Sequence, residues 1–273
     1  GLTDLERFDI PLSVIFPGAD PAALDGIGWI GPDTLSDGIL HLTIRSWLLR
    51  LDGRVILIDT CVGDDKERPA RPDWHRRKGA ALLGALAAEG LSPEDVDIVM
   101  CTHLHADHVG WNTRLADGRW VPTFPNARYI CGLAEYRHWE TLAAAQEDRH
   151  GSFADSVLPL LEAGRLDLVE DGWDLAPGLA LETTPGHTPG HMCIHAAHGP
   201  GATFAGDAIH SPVQLARPDW SSAFCTDADA ARRSRQRLLE GLADTGRWLI
   251  PAHFPAPGWC RLARAGDAFR PVP

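Results

Sequence analysis

The chain has 273 residues, of which 44% are hydrophobic, 23% charged and 7% aromatic; this composition is typical of a globular protein with a sizeable core and excludes disordered, collagen-like and coiled-coil chains. The 25 basic and 37 acidic residues give a formal net charge of −12, which disfavours nucleic acid as a partner because the field of the protein repels phosphate. No apolar run reaches the roughly 20 residues that a membrane helix needs, so no membrane partner is expected.

Hydrophobic patterning predicts one α/β domain over residues 1–273, built on layered sheets. Residues 1–38 are rich in Gly, Pro and Asp and are predicted to form an N-terminal arm or loops. Asp52-Gly53 marks a β-hairpin, and Thr226 is predicted to cap the last helix. The arginines of that helix, Arg235 among them, are expected on a solvated face, and an anion-binding patch is the alternative. In chain order, the pattern predicts strands over 40–51 and 55–58, a helix over 79–89, strands over 96–101 and 128–131, helices over 133–141 and 153–163, strands over 179–183, 191–196 and 202–205, a helix over 229–243 and a strand over 248–250.

The cysteines and the first residues bear on the compartment. The six cysteines are scattered without a C-x-x-C pair, which predicts buried free thiols in a reducing compartment. Residues 1–7 lack the basic start and apolar run of a signal peptide. We therefore predict a cytoplasmic protein, and a removed leader is the open alternative.

The most informative segment is Thr102-His103-Leu104-His105-Ala106-Asp107-His108, which directly follows an apolar strand. A tight loop at a strand end lets His103 and His105 share one metal, while Asp107 and His108 face a second. Imidazole and carboxylate ligands suit zinc, iron, manganese and cobalt. The alternative is a surface loop that is rich in histidine by chance.

Three later segments each place a possible ligand at the end of a predicted strand. They are Thr184-Pro185-Gly186-His187, Phe204-Ala205-Gly206-Asp207 and Ile250-Pro251-Ala252-His253. A lone histidine at a strand end is more often structural than a ligand. Four such strand ends in one chain together favour a metal site.

This set of motifs resembles the metallo-β-lactamase-fold hydrolase superfamily, whose H-x-H-x-D-H motif matches His103, His105, Asp107 and His108. Within it, the T-P-G-H-T-P-G-H and G-D-x-x-H stretches are most similar to the N-acyl homoserine lactonase and methyl parathion hydrolase branch. The resemblance implies a four-layer αββα sandwich with the active site at one edge of the two sheets. It also implies two divalent metal ions, with zinc favoured over iron, manganese and cobalt.

By this resemblance seven residues are metal ligands. His103, His105 and His187 are expected to hold the first metal, Asp107, His108 and His253 the second, and Asp207 is expected to bridge both. Asp59 resembles an aspartate that orients a ligand histidine. His191 is expected to support the site rather than to bind metal.

The implied reaction is hydrolysis by a metal-bridging hydroxide. Two metals lower the pKa of a shared water from about 15.7 towards about 7, and the hydroxide is expected to attack the carbonyl of a small lactone or carboxylic ester. Asp107, Asp207 and His210 are the expected catalytic residues, with Asp107 moving the proton. His210 stands where related lactonases have a tyrosine, which puts homoserine lactones specifically in doubt.

Several alternatives stay open at this point. A phosphotriester hydrolase or a glyoxalase-II-like thioesterase would use the same ligands, and a mononuclear iron sulfur dioxygenase retains much of the motif. The loop aromatics either line a pocket for an apolar substrate, or pack on the core or in a homodimer contact. These aromatics are Trp29, Trp74, Trp220 and Phe224.

Overall fold

The computed structural model describes residues 1–272, and sixteen strands and eight α-helices lie in this range. The strands are β1 (Leu2–Pro11), β2 (Leu35–Ser36), β3 (Ile39–Leu51), β4 (Arg54–Ile58), β5 (Ile98–Met100), β6 (Thr113–Ala116), β7 (Arg119–Pro122), β8 (Arg128–Gly132), β9 (Leu166–Val169), β10 (Asp174–Ala176), β11 (Leu179–Thr183), β12 (Met192–Ala196), β13 (Ala202–Gly206), β14 (Trp248–Pro251), β15 (Arg261–Ala265) and β16 (Ala268–Val272). The helices are α1 (Leu12–Ile15), α2 (Ala81–Ala88), α3 (Ala106–Val109), α4 (Leu133–Ala144), α5 (Ser152–Ser156), α6 (Leu158–Glu162), α7 (Val213–Ala216) and α8 (Ala228–Leu242).

The chain forms two compact units. The first comprises Gly1–Leu5 and Ile44–Glu170, and the second comprises Glu6–Thr43 and the chain from Asp171 onward. The single domain over 1–273 stays a prediction. Among residues 1–272, no helix is both long and apolar enough to cross a membrane.

The first unit contains β4, β5, β8 and β9, which are neighbours in the strand order β1-β3-β4-β5-β8-β9; β2 also pairs with β3. The predicted hairpin is confirmed: β3 and β4 pair antiparallel across Asp52 and Gly53, both at positive φ, as a tight two-residue turn requires. Strands β4, β5, β8 and β9 run parallel to one another. Successive residues 56–58 are all at most 1% exposed, so both faces of β4 are covered. The carboxyl end of β5 leads directly into the histidine motif.

The second unit is built on a five-stranded sheet of order β10-β11-β12-β13-β14. The buried leucines of helix α8 recur at helical spacing and so form an apolar stripe on one side of the helix. This stripe packs on the sheet. The shared core comprises Leu238, Leu239 and Leu242 of α8, Cys193, Ala205 and Leu249 of the sheet, and Leu262 and Phe269 of the hairpin β15-β16. The strands that precede Asp207 and His253, β13 and β14, therefore both contribute to this core.

Three predictions about elements are wrong. Residues Leu2–Pro11 form a strand rather than an arm or loops. The cap of α8 is Asp227, whose side chain accepts a hydrogen bond from the Ala230 N–H, and not Thr226. The single helix expected over 153–163 is two helices, α5 and α6, with Pro159 in the first turn of the second, because proline lacks the N–H that a continuous helix needs.

A buried charge cluster anchors residues 62–79 within the first unit. The Arg68 guanidinium makes two hydrogen bonds of 2.7 and 2.9 Å to the Asp155 carboxylate. The Lys66 amine donates to the Thr113 hydroxyl and the Asp155 carbonyl oxygen and lies 3.7 Å from the centroid of the Trp120 ring. Burial lowers the pKa of Lys66 to about 7, although the Asp155 charge opposes the shift.

This cluster predicts a pH-dependent contribution to stability. Because the folded pKa of Lys66 lies below its unfolded value, the unfolded chain binds more protons between about pH 7 and 10. The free energy of unfolding of the wild type should therefore rise relative to that of Lys66→Met over this window, by up to about 1.4 kcal/mol per pH unit. Urea unfolding at several pH values measures the difference, with Lys78→Met, at an exposed lysine, as the control. Parallel profiles for wild type and Lys66→Met would contradict the prediction.

Candidate metal centre

The histidine motif begins where β5 ends, and Asp59 holds its first residue. Asp59 follows β4 and has φ 58°, a left-handed conformation that aspartate tolerates better than most residues. Its carboxylate accepts hydrogen bonds from the N–H and hydroxyl of Thr102 at 2.7 and 2.8 Å. It also accepts one from His108 Nδ1 at 2.8 Å. This is the orienting contact that the sequence predicted for Asp59.

The four motif side chains of the first unit form two pairs. His103 Nε2 lies 2.9 Å from His105 Nδ1, and His108 Nε2 lies 3.7 Å from an Asp107 carboxylate oxygen. His103 and His108 are buried, whereas His105 and Asp107 are partly exposed. Each pair offers nitrogen or oxygen donors that could hold a metal ion.

A close backbone approach explains the glycine that follows the motif. The Gly110 N–H donates to the Cys61 carbonyl, and the Trp111 N–H to the Thr60 carbonyl. A Cβ at position 110 would lie 1.8 Å from the Val62 carbonyl oxygen, so no other residue fits without displacing this backbone. The loop therefore leaves α3 along one fixed path.

In the second unit, histidines converge on the Asp207 carboxylate. Oδ2 of Asp207 lies 3.3 Å from His187 Nε2 and 3.4 Å from His210 Nε2. Oδ1 lies 3.1 Å from His253 Nε2. All four residues are at most 4% exposed. The two oxygens of one carboxylate thus face different histidines.

In His187 and His253, the ring nitrogen that does not face Asp207 contacts another group of the protein. His253 Nδ1 donates to the Thr43 carbonyl oxygen at 3.0 Å, which leaves Nε2 with a lone pair for a metal. His187 Nδ1 lies 3.7 Å from the Cys225 thiol. Burial raises the pKa of Cys225 to about 11.

The loop before His187 is shaped by its packing on α8. Gly186 has φ 134°, and a Cβ there would lie 2.0 Å from the Ala231 nitrogen. The N–H groups of Thr226 and Asp227 donate to the carbonyls of His187 and Gly186. Helix α8 therefore fixes the backbone that presents the His187 ring.

His191 supports the site, as the sequence predicted. Its Nδ1 contacts the Thr184 hydroxyl at 2.7 Å, and its Nε2 accepts the Asp207 N–H at 3.0 Å. His210 is held through its own N–H, which donates to Gln214 Oε1 at 2.7 Å. His191 thus contacts the backbone of Asp207, and His210 contacts its carboxylate.

The donor spacings fit a divalent metal. Zinc binds imidazole nitrogen and carboxylate oxygen at about 2.0–2.2 Å in a tetrahedron, so neighbouring donors lie about 3.3–3.6 Å apart. The His187–Asp207 and His253–Asp207 separations, 3.3 and 3.1 Å, are close to this edge length. Buried donor sets of this kind are the type that zinc, iron, manganese and cobalt accept.

Several residues that build the site carried no readable signal. Thr43 acts through its main-chain oxygen, which any residue type provides. Arg235, expected on a solvated helix face, is fully buried and donates to the carbonyls of Pro218 and Ala208.

Of the loop aromatics, Trp29 and Trp220 pack against the apolar cores of their unit, which favours the packing interpretation for these two.

Comparison with known proteins places the chain among metallohydrolase relatives. A model described as the Metallo-beta-lactamase superfamily matches residues 42–253. An N-acyl homoserine lactonase of Bacillus sp is 31% identical over 174 residues, which are 59% of this chain and 61% of the relative. Metallo-beta-lactamase domain-containing protein 1 of Homo sapiens is 30% identical over 185 residues, 67% of this chain and 55% of the relative. The chain thus spans 55–61% of the length of these relatives.

Solved structures show the same fold. AidC, a dizinc quorum-quenching lactonase in complex with a product, has a TM-score of 0.77 at 24% identity, over 99% of this chain and 92% of that one. The hydrolase AbOPH has a TM-score of 0.79 at 23% identity, over 98% and 91%. The predicted metallo-β-lactamase fold class is confirmed.

The family match runs from β3 to the loop after β14 and includes every candidate ligand of both units. It covers most of the chain, and the named lactonase relatives agree with the branch that the sequence motifs resemble. The chain belongs to the metallo-β-lactamase superfamily.

Proposed function

We propose that the protein is a dinuclear metal-dependent hydrolase that cleaves lactones or carboxylic esters. The supporting observation is the division of the Asp207 carboxylate, whose Oδ2 faces His187 while Oδ1 faces His253. If a carboxylate binds two metals through one oxygen each, each oxygen is expected to lie beside a histidine that binds the same metal. The proposed ligands are His103, His105 and His187 for one metal, Asp107, His108 and His253 for the other, and Asp207 for both.

The proposed chemistry needs no side-chain nucleophile. Two divalent metals, with zinc favoured, would supply a hydroxide at neutral pH and polarise the substrate carbonyl. Asp107 is the candidate for moving the proton, because its side chain is 17% exposed beside His108 and so reaches both solvent and site. Asp59, His191 and the Thr43 carbonyl oxygen hold the ligands in place, which limits reorganisation during the reaction.

The names of the relatives support the substrate class. The curated relatives include N-acyl homoserine lactonases, and AidC was solved with a product. By the family resemblance His210 stands where related lactonases have a tyrosine, so we propose a lactone or ester whose carbonyl receives a hydrogen bond from imidazole instead. The six cysteines are free, which supports a reducing, cytoplasmic location.

The test combines metal content with a substrate panel. Protein purified without chelators is expected to contain about two divalent metals per chain, as a dinuclear site requires, and to cleave lactones or carboxylic esters. Thioesters and phosphotriesters form the comparison arms, and faster turnover of either would replace the proposed substrate class. One iron per chain, oxygen consumption and no hydrolysis would contradict the proposal and indicate a sulfur dioxygenase.

His210 is expected to donate a hydrogen bond to the substrate carbonyl oxygen. His210→Phe keeps a ring but loses the donor, so kcat should fall about 100-fold, as for loss of one donor to a developing oxyanion. His210→Tyr restores a donor and should recover part of this loss. Steady-state kinetics with metal content measured on each variant checks the prediction. A His210→Phe enzyme as fast as wild type would assign His210 a purely structural role.

A further inference from the structure

The two peptide groups that flank Leu104 are held by side chains from helices α4 and α5. The Leu104 N–H donates to Glu135 Oε1 at 3.0 Å, and the Ser152 hydroxyl donates to the Leu104 carbonyl oxygen at 3.1 Å. Leu104 lies between His103 and His105, beyond the end of β5, where the sheet no longer provides partners for the backbone. Buried peptide groups must find such partners, and here the partners hold the backbone directly between the two histidines.

Glu135 is also linked to His105 indirectly, through the side chain of Trp139. The same oxygen, Oε1, accepts a hydrogen bond of 2.7 Å from Trp139 Nε1, one helical turn further along α4. The Trp139 ring stands edge-on to the His105 ring, with 5.4 Å between centroids and 79° between planes. One carboxylate oxygen therefore fixes both the backbone before His105 and the indole beside its ring.

The burial of this carboxylate is informative. Glu135 and Ser152 are 0% exposed, and Leu104 and Trp139 are at most 5% exposed. A buried carboxylate is costly to desolvate, so an apolar residue of similar size would serve α4 better if only packing mattered. A second buried carboxylate, that of Asp59, contacts Thr102 and His108, so the two acidic residues hold different parts of the loop.

We propose that Glu135 is a positioning residue for the metal held by His103 and His105, with Ser152 as its partner on the opposite side of Leu104. The proposal rests on the proposed function only in taking these two histidines as ligands of one metal. Glu135 acts as a hydrogen-bond acceptor: it holds the Leu104 N–H and the Trp139 indole so that the two ring nitrogens stay 2.9 Å apart. It does not touch the substrate.

The test compares Glu135→Met, which removes the acceptor, with Glu135→Gln, which keeps a carbonyl oxygen at the position of Oε1. Zinc affinity is measured on metal-free protein by competition with a chromophoric chelator. Glu135→Met should weaken one of the two binding events about 10- to 100-fold and leave the other unchanged, the range seen when a group that orients a ligand is lost. Glu135→Gln should remain within a few fold of wild type.

Two further variants separate positioning from folding. Ser152→Ala removes the other hydrogen bond to Leu104 and should weaken the same binding event, by a smaller factor than Glu135→Met. Glu140→Met, at an exposed residue of the same helix, should leave both events unchanged. If Glu135→Met does not fold, Ser152→Ala still decides, since unchanged zinc binding in that variant would overturn the proposal.

The outcomes keep this proposal distinct from the proposed function. A wild type that binds two zinc ions but cleaves no lactone or ester would end the proposed function and leave the positioning role standing. Equal losses in Glu135→Gln and Glu135→Met would overturn the acceptor role. A wild type that binds no zinc would overturn both proposals.

Discussion

Replacement of Asp207 by alanine is expected to abolish lactone and ester hydrolysis. The variant loses the one carboxylate that faces both His187 and His253. As the proposed bridging ligand, Asp207 would hold both metals, whose charge stabilisation of the transition state would amount to several kcal/mol. Because each 1.36 kcal/mol corresponds to tenfold in rate, kcat should fall by about a thousandfold or more. Turnover and metal content are measured on the same preparation.

Two variants make the Asp207 result interpretable. Asp207→Asn keeps the shape and one oxygen but not the charge, and it should also lose most of the activity and metal. Asp229→Ala removes an exposed carboxylate of α8 and should behave as wild type. Retention of two metals and activity within tenfold in Asp207→Ala would show that Asp207 is not the bridging ligand.

Removal of metal is expected to eliminate activity and to lower stability together. Metals that bind only the folded chain stabilise it by about 4 kcal/mol when their concentration is about 1,000 times Kd. The free energy of unfolding and the thermal midpoint of chelator-treated protein should therefore fall, and zinc should restore both along with turnover. Urea unfolding with and without added zinc, paired with the hydrolysis assay, measures the two effects.

The control for metal removal is Asp207→Ala, whose stability should respond to zinc much less than that of the wild type. Magnesium should not substitute, because it prefers oxygen ligands and six-fold coordination over histidine-rich sites. A chelated protein that contains less than about one-tenth of a metal per chain and still turns over would contradict a metal-dependent hydrolase.

Local signals predicted the elements that present the ligands. The apolar run before His103 and the short runs before Asp207 and His253 each proved to be strands, β5, β13 and β14. The same signals did not predict β1, because its charged residues interrupt the apolar pattern of a strand. Leu2–Pro11 contains Asp4, Glu6, Arg7 and Asp9 and yet forms β1, because pairing with β3 compensates for its polar composition.

Other failures came from contacts between distant residues. Thr226 looked like the helix cap, but its N–H donates to His187, and Asp227 caps α8 instead. Arg235 looked like part of a solvated face, but its guanidinium donates to carbonyls of the segment around Ala208 and Pro218. Neither outcome follows from helix periodicity, which describes only the spacing of residues within one element.

The amino-acid sequence alone determined the family, the fold class and the order of candidate ligands along the chain, because each ligand follows an apolar strand that short-range pattern identifies. Only the tertiary structure decided that the two oxygens of Asp207 face different histidines, that the Thr43 carbonyl holds His253, and that Glu135 and Ser152 hold the backbone of Leu104. The contact between Leu104 and Glu135 joins residues 31 positions apart, and the contact between Thr43 and His253 joins residues 210 positions apart. Such pairings form only when whole sheets and helices pack, so no local pattern of residues encodes them.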